Sequence, residues 1–520
     1  MKMASKPRIV PPSPELEKKI IKTKKMFSAK EALPSTTTVD VLDLRSFQLI
    51  TSRPMRTRSH TLISREAKLA PVVGTRKALV LLVDFSNNTA TQSKGHFADM
   101  LFSSGGATKS LRDFYWEASY NKLTVTGDVS GEGGPTAGWY RAPQAYTYYT
   151  NGEYGFGTYP KNAQKLVEDA VDLAAPHVNF ANYDNDGDGV VDALFIVHAG
   201  PGAETTGNVD HIWSHQWGIN PKTVDGVKVS SYSMEPEDGK IGVFCHELGH
   251  VFGLPDLYDY DYDSAGVGRW CLMAGGSWNG GGSNPAHPTS WCKMKLGWVN
   301  PVTIFNAQQA VTIKPYATNA QVYKLPVGDI NSKEYFLLSN RKKTGFEMDL
   351  PGEGLSILHI DENQLNNNDQ NHYLVDVEQA DGKFELNKNI NSGNAADMFP
   401  STSSEFTATS NPSSKAYSGL DSKVSVTDIQ RSGDDIKANI NVGGAAVKAW
   451  YYNKKVLSTF AHHTTQWAWA NIDTLGWRRI KDGSADGVTN IFNACCEAVA
   501  NNKQVNVYVD NEFLYTMYLV

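Results

Sequence analysis

HELGHVFGLPDLYD, residues 246–259, gathers His246, Glu247, His250 and Asp256 within eleven residues. Such side chains are costly to bury together unless they share a task. The segment 241–254, IGVFCHELGHVFGL, is apolar-patterned and predicts a helix. His246 and His250, four residues apart, then stand on one face. Two neutral imidazoles at that spacing suit zinc. Glu247 projects to the side, where it can take a proton from water without binding the metal. Gly253 allows a left-handed helix end. The reversed chain can return Asp256 as a third ligand, leaving a fourth position open as in a catalytic site. A capped helix with incidental histidines is the competing reading, and the added Gly253 and Asp256 weigh against it.

Outward from this helix, ALVLLVDF (78–85) and DALFIVHAG (192–200) read as buried strands, and KLTVTGDVSG (122–131) as an exposed one. LRDFYWEASY (111–120) and KNAQKLVEDAVDLAA (161–175) have helical spacing. Helices and strands thus alternate over 76–300, as in an α/β or α+β catalytic domain. Short strands between turn residues then predict a β-rich domain over 301–445, ending at the linker-like GGAA of 443–446. Residues 446–520 read as a small Trp-rich module of strands plus one helix, with Asp510-Asn511 turning a hairpin.

DNDGDGVVD, 184–192, suggests a second metal site, for calcium. Asp184, Asp186, Asp188 and Asp192 fall at positions 1, 3, 5 and 9 of an EF-hand-like loop, with the Val190 carbonyl at 7 and Gly189 at the sharp turn. Position 12 is Phe195 rather than glutamate, which excludes a regulatory EF-hand. A structural calcium would relieve the repulsion among these acids, whereas a solvated acidic turn is the plainer reading.

The chain has 520 residues and a net charge of −6. Residues 1–75 hold 15 Lys/Arg against 6 Asp/Glu, so a basic arm precedes an acidic body. Charge alone favours docking of the arm on its own chain, most strongly at low salt. Nucleic acid or an anionic membrane are other partners for such an arm, and a solvated, poorly ordered segment is the plain alternative. No apolar run is long enough to span a membrane, and no secretory signal is visible at the N-terminus. Five cysteines, two of them adjacent, argue against a disulfide framework, although Cys271 and Cys292 are candidates to pair.

HELGHVFGLPD resembles the extended HExxHxxGxxD motif of the immune inhibitor A family of secreted zinc metallopeptidases, relatives of the metzincins. WCLMAGGSW (270–278), SLRDFYWEASYNKLTVTGDV (110–129), GWYRAPQAYTYY (138–149), FANYDNDGDGVVDALFIVHAGPGAE (180–204) and DHIWSHQW (210–217) also resemble its catalytic domain, in family order. The resemblance implies an α+β, metzincin-like catalytic domain with a mixed sheet and an active-site helix. It implies His246, His250 and Asp256 as zinc ligands, Glu247 as general base and Met273 as the Met-turn methionine. It also implies secretion and protein or peptide substrates; residues 1–75, which precede the first buried strand, resemble a zymogen's pro-segment in position.

The expected activity is therefore zinc-dependent endopeptidase. A degenerate peptidase that binds a glycan or protein is the alternative, and a zinc hydrolase acting on other bonds is a further one. The basic arm is expected to cover the cleft, with His60, Asp40 or Asp43 able to reach the open metal position and removal near Arg76 or Lys77 raising activity. No nucleic-acid partner is expected for the whole protein. Tyr258 or Tyr260 can contact the reacting groups, or lie in a polar turn. His215 and His287 read as packing histidines more readily than as cleft residues. Trp467, Trp469 and Trp477 either build a small core or offer stacking surfaces to carbohydrate.

Overall fold

A computed structural model describes residues 7–30, 71–106, 109–443, 449–462, 467–481, 483, 485–509 and 513–520. Its largest sheet is mixed: β1 (Arg8–Ile9), β6 (His215–Val224), β7 (Val227–Pro236), β5 (Leu194–His198), β2 (Gly74–Asp84) and β3 (Leu123–Ser130) lie in that order. A short β4 (Tyr140–Arg141) also pairs with β2. The β7, β5, β2 and β3 pairings are parallel, and β6 and β1 add antiparallel. Residues 78–84 of β2 are buried throughout, as the continuous apolar run predicts for a central parallel strand. Helices Leu111–Ala118 and Ala163–Ala174 start on side-chain caps from Ser110 and Asn162.

The N-terminal arm differs from its expected loose, charge-held state. Residues 8–9 pair with the outer edge of β6, and Pro14–Lys30 forms a helix. Ile9, Val10, Leu16 and Ile20 are buried in the main core. Apolar burial and backbone hydrogen bonds dock these residues, so low salt is not the requirement that charge alone suggests. Cleavage near Arg76 or Lys77 also needs correcting. Both residues lie inside β2 and pair with Val125 and Thr126, so a protease would have to open the ladder to reach them. Asp40, Asp43 and His60 lie outside the described residues.

Residues 302–442 form two further sheets. One is ordered β13 (Val375–Val377), β12 (Gly354–Asp361), β11 (Glu334–Arg341), β10 (Tyr323–Pro326), β8 (Val302–Thr303); the other is β14 (Val424–Ser432), β15 (Asp435–Val442), β9 (Ala307–Ile313). They enclose a core of their own around Ile313, Phe336, Ile357, Phe406 and Ile440. The opposite side of the first sheet contributes Tyr335, Leu337, Leu358 and Ile360 to the main core, as strand alternation requires.

The last strands, β16 (Ala449–Ala461), β17 (Ala468–Ile472), β18 (Gly476–Ile480), β19 (Gln504–Val509) and β20 (Phe513–Leu519), close a barrel in the order β16-β17-β18-β20-β19. The helix Ala485–Ala500 joins β18 to β19 and buries Val488, Cys495 and Ala498 in the barrel core. Among the described residues, no helix is long and apolar enough to cross a membrane.

Candidate active site

The helix Ile241–Val251 is buried along residues 241–250 and sits against β7 and the segment Gly275–Gly282. Its glycines permit this. A Cβ on Gly242 would stand 2.0 Å from the Ser277 carbonyl, and one on Gly249 would stand 2.5 Å from the Met273 sulfur. Met273 therefore packs directly beneath the helix turn that carries the two histidines. Gly253, at φ +94°, ends the helix in the left-handed region, and the Leu254 amide donates back to the Gly249 carbonyl. The chain then turns so that the Leu257 amide donates to the Met273 carbonyl, fixing Asp256 between them.

His246 Nε2, His250 Nε2 and Asp256 Oδ1 form a triangle with 3.1 Å edges, wholly buried. Donor atoms on a tetrahedral ion at about 2.0 Å stand about 3.3 Å apart, so the triangle fits zinc closely. The outward nitrogens agree. His246 Nδ1 lies 2.9 Å from the Leu272 carbonyl and His250 Nδ1 lies 2.8 Å from that of Leu254. A carbonyl can only accept, so each Nδ1 carries the proton and each Nε2 lone pair faces the triangle. Tyr260 donates its hydroxyl to Asp256 Oδ2, which leaves Oδ1 facing the imidazoles. Burial lowers the His250 pKa and so favours the neutral ligand form. Burial alone would raise Asp256; positive charge in the triangle, on the imidazoles when they are protonated, lowers it below the ordinary carboxylate range.

Glu247 is buried and neither carboxylate oxygen has a hydrogen-bond partner among the described residues. Burial pushes its pKa well above the ordinary range, with the charges of Glu235, Asp256 and Glu204 adding and that of Arg8 opposing. A dication beside it would act in the same direction as Arg8 and favour the carboxylate.

Sequence reasoning missed Arg8. Its guanidinium approaches the carbonyls of His250 and Leu254 at 3.5 and 3.4 Å, at the end of the ligand helix. The strand that brings it there is clamped at several points. The Ile9 carbonyl accepts from the Tyr258 hydroxyl at 2.6 Å, and those of Val10 and Pro11 accept from the indoles of Trp213 and Trp278. The available signal was SPELE at 13–17, a helix start with serine cap and proline at the first turn, which marks a folded arm. Tyr258 is thus engaged by the arm, whereas Tyr260 orients the third candidate ligand.

His215 bonds the Trp213 carbonyl and Tyr232, and His287 lies beside Glu117 and Lys293; both are buried packing residues. All five cysteines are free thiols, so Cys271 and Cys292 do not form a disulfide here.

In the acidic loop, Asp184, Asp186 and Asp188 bring carboxylate oxygens within 4.8 Å of one another. Backbone amides of Gly187, Asp188 and Gly189 donate to Asp184, and Val190 donates to Asp188. Asp192 accepts from the Asn185 amide at 2.5 Å.

Residues 70–300 match the family model described as immune inhibitor A peptidase M6, catalytic domain. The chain is 34% identical over 289 residues to the pre-pro-metalloprotease PrtV of Vibrio cholerae, an alignment covering 44% of this chain and 31% of the relative. It is 33% identical over 258 residues to immune inhibitor A of Bacillus thuringiensis, covering 39% of this chain and 36% of the relative. The alignments therefore span about a third of each curated relative.

Proposed function

Since residues 70–300 belong to the immune inhibitor A peptidases and form a metallopeptidase catalytic domain, we propose that the whole protein is a zinc-dependent endopeptidase acting on proteins. The observation that carries this reading is the buried 3.1 Å donor triangle of His246, His250 and Asp256 beside the unpartnered Glu247. Zinc held there would polarise a scissile carbonyl and lower the pKa of a water to about 7. Glu247 would accept a proton from the attacking water and later return it to the leaving amine. Its burial excludes bulk solvent and raises its proton affinity, which suits an acid–base group that must hold and release one proton per cycle. The hydrogen bonds from His246 and His250 to carbonyls, and from Tyr260 to Asp256, keep the three donors aimed inward. Met273 beneath Gly249 supports a metzincin-like arrangement.

The test is metal content together with cleavage of a mixed protein substrate. One zinc per chain and chelator-sensitive cleavage are expected; metal-loaded protein, freed of the arm, that cleaves nothing would favour the degenerate, binding-only alternative.

Two finer readings accompany this one. Residues 7–30 act as an inhibitory pro-segment, because they pair with an edge strand of the catalytic sheet and put Arg8 against the ligand helix. The word pre-pro in the name of the Vibrio relative is consistent with such processing and with export. The loop at 184–192 takes a structural calcium through Asp184, Asp186 and Asp188, with Val190 and Asp192 completing the set.

A further inference from the structure

The C-terminal barrel carries an inference independent of the peptidase. Its strands run β16-β17-β18-β20-β19 and close back on β16. All neighbours are antiparallel except β18 and β20, which are parallel, and the helix Ala485–Ala500 lies between the third and fourth strands. The first strand is long and bent by register shifts at 451–454 and 456–458, which lets it pair with β19 at one end and β17 at the other. This is the five-stranded Greek-key barrel of the OB type, whose second and third strands form the face that binds oligonucleotides or oligosaccharides.

Here that face is unusually dressed. Ala468, Ala470 and Ile472 of β17 point into the barrel, so Trp469 and Asn471 point out. In register, Phe460 of β16, Trp469 of β17, Arg479 of β18 and Phe513 of β20 make one row across four strands. Ser458, Asn471 and Trp477 make the next. The Arg479 guanidinium lies 4.7 Å from the Trp467 ring and 4.6 Å from that of Phe513, and Lys481 Nζ lies 4.2 Å from Phe513. Phe460, Trp467 and Trp477 remain 44–49% exposed, too open for a core function.

We propose that this β17–β18 face binds an oligosaccharide bearing carboxylates, its pyranose rings stacked on Trp469 and Trp477 and a carboxylate held by Arg479 and Lys481. Aromatic rings match the C–H faces of sugars, while Asn471 and Ser458 supply hydrogen bonds to hydroxyls. Charge selects among ligands. Residues 446–520 hold 7 Lys/Arg against 6 Asp/Glu. A single-stranded nucleic acid, with a phosphate at every nucleotide, calls for a basic track that such a nearly neutral module does not provide. A uronate or sialic-acid glycan, with sparser charge, is matched by two cations set among rings.

The experiment immobilises oligogalacturonate, sialyllactose, cellohexaose and oligothymidylate and measures binding of the full chain. One of the two carboxylated probes is expected to bind about tenfold or more tighter than cellohexaose and oligothymidylate. Trp477→Ala and Arg479→Gln should each weaken that binding about tenfold, and Trp450→Ala, on the β16–β19 flank, by less than about twofold. Peptide hydrolysis and melting temperature should stay unchanged in all three. In the unsubstituted protein the bound probe should also shield exposed tryptophan from acrylamide quenching, which keeps the test valid if a variant misfolds. Failure to bind either carboxylated probe overturns the proposal. So does equal or tighter binding of cellohexaose or oligothymidylate, or loss in Trp450→Ala alone.

Discussion

Tyr260 donates a hydrogen bond from its hydroxyl to one oxygen of Asp256 while the other oxygen of the same carboxylate stands 3.1 Å from both His246 and His250. The phenol thus decides which oxygen is offered to a metal. Tyr260→Phe is expected to lower zinc affinity about 10- to 100-fold, the usual cost of losing a partner that orients a ligand. Competition with a chromogenic chelator measures it; unchanged affinity would show that the Leu254 and Leu272 carbonyl contacts alone hold the triangle.

Glu247→Gln keeps the shape of the side chain and removes its basicity. Cleavage should fall about a hundred- to ten-thousand-fold with zinc content unchanged. Peptide hydrolysis and metal analysis on the same sample check this, and normal turnover would remove Glu247 from the mechanism.

A chain beginning at Pro71 should cleave a small peptide faster than the full chain. Because Ile9 and Val10 are buried and hydrogen bonds clamp the strand, the difference should persist at high salt. Ile9→Asp with Val10→Asp should reproduce the gain in the full chain. Equal rates in all three proteins would make the arm a structural element only.

Calcium should raise the melting temperature by about 2 °C or more, and Asp186→Ala should abolish most of that rise while leaving peptide hydrolysis in excess calcium intact. Calorimetry with and without calcium decides; an undiminished rise in the variant places the ion elsewhere.

A pH effect follows from His359. Burial alone would lower its pKa, but Glu334 and Glu378, at 3.0 and 3.2 Å, push it up from 6.5 to about 9. A basic group raised on folding stabilises fully below its unfolded pKa and loses that contribution as pH climbs through the folded one. Stability should therefore decline between about pH 6.5 and 9, and His359→Gln should flatten that part of the profile. Melting curves across the range test it, and parallel profiles for the two proteins would be the contrary result.

The active-site helix was legible because its determinants are local. His246 and His250 share a face by helical period, and Gly253 turns the chain within three residues of the second histidine. Arg8 was not legible, since it meets the His250 carbonyl across 242 positions of sequence. The same distinction holds at the C-terminus. The helix and the antiparallel pair β19–β20 were readable from the apolar pattern, while Asp510 and Asn511, expected to turn the hairpin, lie outside the described residues. The parallel contact of Arg479 with Phe513, which defines the barrel, joins strands separated by that helix and leaves no local signature. The contact that holds Asp192, the Asn185 amide, was not legible, since loop position alone does not say which backbone group a carboxylate accepts from.

Tyr316, Tyr335, Leu337 and Phe346 belong to the same core as the helix that carries His246. Across generations, that shared interior ties two stretches of chain into one inheritance. A lineage cannot exchange residues 302–442 for another sequence without repacking the ground beneath its peptidase, and compensating changes should be found on both sides of the contact. Among the described residues, the barrel's buried core is confined to residues 456–514 and shares no member with that interior. Exchange of the barrel should leave the packing around His246 unchanged, so the two parts of the chain are free to change at different rates.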